Sequence, residues 1–148
     1  MLNLNGMLSI VMPAYNEEKL IYHSIMETLR IVEKFVPELE IIAVNDGSKD
    51  NTKAEIERAM KQDSRVRMVS SEKNRGKGNA IIAGVSQVEG KYVAFVDADL
   101  ELNPSQLEGY LKKMLDDNKD VVIGCKFLKD SKLDYPFKRK VISMCYYI

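Results

Sequence analysis

Asp97, Asp99 and Glu101 are the residues best suited to chemistry: three acids at alternate positions directly after the apolar run Tyr92–Val96. In an extended chain residues i, i+2 and i+4 share one face, so all three carboxylates could gather at the exposed end of a strand. Like charges held that closely repel one another unless a cation lies between them. Hard divalent ions take oxygen ligands, and Mg²⁺ commonly combines one or two carboxylates with substrate phosphates. A metal–diphosphate site is therefore the chemistry this stretch suggests, although the same acids, taken alone, also fit a solvated loop. Asn103 and Pro104 follow as a helix start.

Further polar groups stand after two other apolar runs. Pro13, Ala14, Tyr15, Asn16, Glu17 and Glu18 follow Leu8–Met12, and Asp46 follows Ile41–Val44. If these runs are parallel strands of one sheet, their ends meet along one edge, where open α/β sheets bind ligands. A nucleoside could rest near the first loop, with Glu17 or Asp46 accepting its hydrogen bonds. Singly, Glu17 and Glu18 also read as helix-start acids favoured by the helix dipole, and Asp46 as a turn former. Arg75-Gly76-Lys77-Gly78 is a basic glycine loop opening a helix, which offers backbone N–H groups and charge to an anion. It is not a Walker A loop, because Glu72 holds the place of the first glycine and Gly78 that of the Ser or Thr; nor is it GxGxxG, because Ile81 holds the third glycine's place. His23, the sole histidine, lies off the apolar stripe of its helix and reads as a surface residue.

The elements that must hold these groups alternate regularly. Strands are expected at Leu8–Met12, Ile41–Val44, Val66–Val69, Tyr92–Val96 and Val121–Ile123, with helices between them. The first helix is expected over Leu20–Phe35; Thr52 and Glu55 fit a capping box at the second; Leu107, Tyr110, Leu111, Met114 and Leu115 mark the last. The order βαβαβαβαβ implies a mostly parallel sheet with helices on both faces, in a single domain over 1–148. The chain of 148 residues is 45% apolar and 30% charged with zero formal net charge, which fits a soluble protein and argues against a general nucleic-acid binder. Cys125 and Cys145 have no CxxC spacing and read as reduced thiols of a cytoplasmic protein. Lys126, Lys129, Lys132, Lys138, Arg139 and Lys140, with Tyr135, Phe137, Tyr146 and Tyr147 among them, form a basic, aromatic tail able to meet anionic lipid head groups at the cytoplasmic face of a membrane. Its last residues begin a helix that the chain's end interrupts, the pattern expected of a C-terminally truncated domain.

Four segments together, Ser-Ile-Val-Met-Pro-Ala-Tyr-Asn-Glu-Glu, Val-Asn-Asp-Gly-Ser, Asn-Arg-Gly-Lys-Gly-Asn-Ala and Val-Asp-Ala-Asp-Leu-Glu, resemble in order and spacing the family 2 glycosyltransferases. The glycine loop and Val-Ile-Gly-Cys-Lys-Phe make the chain similar, more narrowly, to the dolichyl- or polyprenyl-phosphate mannosyl- and glucosyltransferases. That resemblance implies a GT-A fold, Mg²⁺ or Mn²⁺ as cofactor, GDP-mannose or UDP-glucose as donor, and inverting transfer of the hexose to a polyprenyl or dolichyl phosphate at the membrane surface. It implies that Asp97 and Asp99 form the DxD motif, with Glu101 as a third metal ligand. It also implies that Pro13, Ala14, Tyr15, Glu17 and Asp46 line the nucleoside pocket, that Lys77, Asp97 and Ala98 complete the donor site, and that Arg139, with Ser143, faces the phosphates. Asn45 departs from the family's usual Asp-Asp-Gly-Ser, and Lys126 from a common arginine. The alternatives are a soluble or glycan acceptor, or a nucleotide-sugar-binding fragment without turnover. A sugar-1-phosphate nucleotidyltransferase fits less well, since Ala-Tyr-Asn-Glu-Glu stands where its glycine-rich loop would follow the first strand.

Overall fold

The structure, a computed structural model, describes residues 1–124. Its elements run β1 (Leu8–Ala14), α1 (Ile21–Val32), β2 (Leu39–Asp46), α2 (Thr52–Gln62), β3 (Val66–Ser71), α3 (Lys77–Val85), β4 (Tyr92–Phe95) and α4 (Gln106–Asp116). The four strands form one parallel sheet in the order β3-β2-β1-β4. The alternation of apolar runs and helical stripes dictates this: parallel neighbours need helical crossovers, and each crossover covers a face. Leu8, Ile10, Met12, Leu39, Ile41 and Ala43 point to one side, where Ile25, Leu29 and Val32 of α1, Ile56 and Ala59 of α2, and Leu107 and Leu111 of α4 close over them. Val11, Ile42 and Val44 point to the other side and pack on Ala80 of α3. There α3 lies close because Gly84 has no side chain: a Cβ would sit 2.5 Å from Val11 Cγ1 and 2.9 Å from Val44 Cγ2. Every residue of β2 is buried, as befits an inner strand covered on both faces.

After β1 the chain moves outward through β2 to β3, then returns to place β4 on the opposite side of β1. The switch point between β1 and β4 is where an open sheet parts to form a crevice, and Pro13 fixes the place. The amides of Tyr92 and Val96 donate to the carbonyls of Met7 and Val11, each at 3.2 Å, so alternate residues of β1 turn their backbone groups toward β4. Pro13 is the next on that side and has no N–H to offer. The β1–β4 register accordingly stops at Val11 and Phe95, whereas β1 continues beside β2 as far as Ala14 and Asn45. Met12 was the expected end of β1; a proline is tolerated farther along because its missing donor faces the gap.

Three other expectations are corrected. Val121–Ile123 forms no strand: α4 ends in a turn with Asn118 at φ 48°, and Val121 and Ile123 are 71% and 82% exposed. Three apolar residues without a paired edge beside them do not make a ladder. The Thr52–Glu55 capping box is also absent, because Thr52 is fully buried and its hydroxyl donates to Asp50 Oδ1 at 2.5 Å instead. The first helix is shorter than expected, with Phe35 and Val36 buried beyond its end. His23 is exposed, as its place off the stripe predicts.

Candidate functional site

A cavity of about 340 Å³ opens at the crevice between β1 and β4. Pro13, Ala14, Tyr15 and Glu17 come from the end of β1, and Asp46 from the end of β2. Lys77 and Ala80 come from the start of α3 with Asn74 just before it, and Asp97, Ala98 and Asp99 from the loop after β4. All eight residues expected to bind the donor therefore meet around one space. A second cavity of about 290 Å³, lined largely by apolar residues such as Ile81, Phe95, Leu102 and Leu107, shares Pro13, Lys77 and Asp97 with it.

The loop after β1 is laced to the loop after β2 by five hydrogen bonds. The amides of Asn16, Glu17 and Glu18 donate to Ser48 Oγ, Thr52 Oγ1 and Asp50 Oδ2, while those of Lys49 and Asn51 donate to Asn16 Oδ1 and Glu18 Oε2. Asn16 adopts φ 56°, a left-handed turn that asparagine tolerates. Glu17 and Glu18 precede α1 rather than standing in its first turn, and the Glu17 carbonyl accepts the amides of Leu20 and Ile21. Burial, then repulsion from Asp99 and Asp50, raises the Glu17 carboxyl above its ordinary value.

Asp46 is 4% exposed and holds the basic loop. Its Oδ1 accepts the Arg75 amide and its Oδ2 the Gly76 amide, both at 2.9 Å. Gly47 lets the backbone approach: at φ 67°, its missing Cβ would lie 2.4–2.7 Å from backbone atoms of Lys73 and Asn74. Asn45, in place of the usual acid, donates from Nδ2 to Ser70 Oγ at 2.9 Å and accepts the Ser48 amide at 3.1 Å, a pairing in which its amide nitrogen serves as donor. Held this way, the loop aims Lys77 across the crevice, where its Nζ lies 2.5 Å from Asp97 Oδ1.

Asp97 and Asp99 are both exposed, on either side of the buried Ala98. The extended spacing ends there, because Leu100 turns left-handed at φ 52° and the Glu101 amide folds back onto Asp99 Oδ1 at 3.0 Å. Glu101 is not among the cavity residues, and among the described residues no three acid, His or Cys side chains converge as a ready ligand set. The donor set still suits a hard cation: two carboxylates face the space, and Asp97 already accepts an ammonium there. Mg²⁺ or Mn²⁺ needs no more from protein when diphosphate oxygens complete its shell. Arg139, Ser143, Cys125, Cys145 and the basic tail lie outside the described residues.

Sequence reasoning missed Asn74 and Ala80 in the lining, and Ser24 and Thr52 behind it. The available signal was a hydroxyl at a position of α1 or α2 whose neighbours on the same face are apolar.

The chain is 35% identical over 149 aligned residues to the dolichyl-phosphate beta-glucosyltransferase ALG5D of Trichomonas vaginalis, covering 92% of this chain and 45% of that protein. Its fold matches the mannosyltransferase PcManGT of Pyrobaculum calidifontis, solved with GDP-Man and Mn²⁺, at a TM-score of 0.66 and 22% identity over 76% of this chain and 33% of that one. It also matches glucosyl-3-phosphoglycerate synthase of Mycobacterium tuberculosis, solved with Mn²⁺, UDP and glucosyl-3-phosphoglycerate, at a TM-score of 0.61 and 26% identity over 75% and 40% of the two chains. In each pairing the chain spans less than half the length of its relative. Among the described residues no helix is long and apolar enough to cross a membrane. The pattern of Glycosyl transferase family 2 matches residues 9–147, and the chain, a parallel α/β sheet of the GT-A kind, belongs to that family.

Proposed function

We propose that this chain carries the donor half of an inverting hexosyltransferase that moves mannose or glucose from a nucleotide-diphosphate sugar to a polyprenyl or dolichyl phosphate. The observation that carries the reading is the meeting of Asp97, Asp99 and Lys77 at one cavity with Pro13, Tyr15, Glu17 and Asp46. A nucleoside would rest against Tyr15, Glu17 and Asp46, with its diphosphate toward the acids after β4. Asp97 and Asp99 would hold Mg²⁺ or Mn²⁺, which supplies charge neutralisation to the departing diphosphate. Lys77, whose ammonium lies on Asp97 at the edge of the same cavity, would be within reach of the phosphate oxygens there. The acceptor oxygen attacks C1 from the face opposite the diphosphate, the C1–O bond breaks, and the nucleoside diphosphate leaves with the electron pair. A phosphate acceptor is already ionised and needs no strong general base. That suits a cavity in which Asp46 is committed to two amides and Asp97 and Asp99 are assigned to the cation. ALG5D, whose name specifies dolichyl phosphate, supports this acceptor class. The small soluble glucosyl-3-phosphoglycerate in the synthase complex favours a second reading, a phosphorylated small molecule in place of the lipid.

Calorimetric titration with GDP and UDP, with and without Mn²⁺, tests the donor half. Metal-dependent binding of one nucleotide is expected, and its loss in Asp99→Ala with the circular dichroism spectrum unchanged. Binding indifferent to both metal and Asp99 overturns the assignment. Product analysis with polyprenyl phosphate against 3-phosphoglycerate separates the two acceptors.

A further inference from the structure

The buried face of α1 carries Ile21, Ile25, Leu29 and Val32, as a core-facing helix should, but also Ser24 at 2% exposure. A serine in a helix interior usually bonds back to its own backbone or reaches water. This one does neither: its hydroxyl donates to the carbonyl of Ala98, between the two acids, at 2.5 Å and across 74 residues of sequence. We infer that Ser24 is the positioning residue that sets the orientation of the Asp97–Ala98–Asp99 segment, an inference that rests on the proposed role of those acids.

Beyond the burial of Ala98 and the Lys77–Asp97 ion pair, the loop has few other restraints. The ladder that holds β4 to β1 ends with the Val96 amide on Val11, and the next backbone bond, from the Leu100 amide to the Asp97 carbonyl at 3.2 Å, is internal to the loop. Leu100 is held at φ 52°, a conformation that costs a non-glycine residue about 1–3 kcal/mol and persists only where the surroundings impose it. Two contacts impose it here: the Leu100 side chain packs against the main core, and Ser24 fixes the peptide just before Asp99. Without the hydroxyl, the Ala98 carbonyl is left buried without its donor, and the Ala98–Asp99 peptide is free to rotate. Asp99 then leaves its place in the cavity lining, while helix α1 keeps its apolar packing.

The test compares Ser24→Ala, Ser24→Thr and, as a control on the same helix, Thr28→Val. Two quantities are read: Mn²⁺ affinity in the presence of GDP or UDP, whichever the chain binds, and hydrogen exchange at the Leu100 and Glu101 amides. Ser24→Ala is expected to weaken Mn²⁺ binding about tenfold and to speed exchange at both amides; Ser24→Thr, which restores a hydroxyl, recovers both, and Thr28→Val leaves both as in the unsubstituted chain. Unchanged exchange in Ser24→Ala, or a loss of unfolding stability with neither readout moved, overturns the positioning role. Absence of Mn²⁺ binding in the unsubstituted chain overturns the metal reading instead, and the exchange data still decide the role of Ser24.

Discussion

Replacing Asp46 by asparagine separates two roles that one carboxylate can play, reading a nucleobase and latching the basic loop. The two amides it accepts, from Arg75 and Gly76, lie at 2.9 Å from separate oxygens of a side chain that is 4% exposed. Asparagine keeps one acceptor and turns an NH₂ toward the other amide, so one charge-assisted hydrogen bond is lost, worth about 1.5–3 kcal/mol. The Gly76 amide also bonds Asn74 Oδ1 at 2.9 Å, which softens the loss and sets it near the lower figure, about 1.5 kcal/mol. A domain stable by about 5–15 kcal/mol stays folded after such a change. The open state of the loop, by contrast, gains about tenfold in population, since about 1.4 kcal/mol is a factor of ten. Lys73, Arg75 and Lys77 make this loop a substrate for trypsin when it opens. Limited proteolysis should show cleavage after Arg75 accelerated about tenfold in Asp46→Asn, with sites in α2 and α4 unaffected, because cleavage of a rapidly opening segment follows its open population. Cleavage at the unsubstituted rate would refute the latch.

Three further outcomes are expected. Gly84→Ala forces a methyl against Val11 and Val44 and should lower unfolding free energy by about 1–3 kcal/mol in chemical denaturation, leaving the acids after β4 in place. Among the described residues the buried hydroxyl of Thr28 has no partner, so Thr28→Val should raise stability by about 1 kcal/mol in the same measurement. Partial burial works against ionisation of Asp50, yet hydrogen bonds from the Thr52 hydroxyl and from the Thr52 and Glu18 amides outweigh it and hold the carboxyl below its ordinary 3.8. Its folded value is thus lower than its unfolded one, its stabilisation is present above 3.8 and lost as pH falls through the folded value, and Asp50→Asn should flatten that acid limb of the stability curve.

Much of this arrangement was legible in the residues. Short continuous apolar runs alternating with helical stripes gave four strands and their parallel pairing, and polar clusters behind three of those runs located the crevice. The unread parts are those in which a residue serves a partner distant in sequence. Thr52 looked like a cap because it precedes a helix and has Glu55 three residues on; its burial against the β1 loop is a tertiary fact. Pro13 looked like a strand end because a proline cannot donate, and only the position of β4 shows that no donor is required on that side. Val121–Ile123 has the composition of a strand but no neighbour to complete one among the described residues. Glu101 kept the alternate spacing of Asp97 and Asp99, but Leu100 breaks the extended geometry that such spacing presumes.

The return of the chain to β1 also makes one strand serve two closures of different length. Ser9 bonds Glu40 across 31 residues, but Gly90 bonds the same Ser9 hydroxyl across 81. Each doubling of a closing loop adds about 0.6 kcal/mol of entropy cost, so docking β4 carries close to 1 kcal/mol more than pairing β1 with β2. The pairing of β1 with β2 is therefore the more local closure, and that of β4 with β1 the less local one. The acids after β4 thus depend on the less local of the two pairings that Ser9 joins.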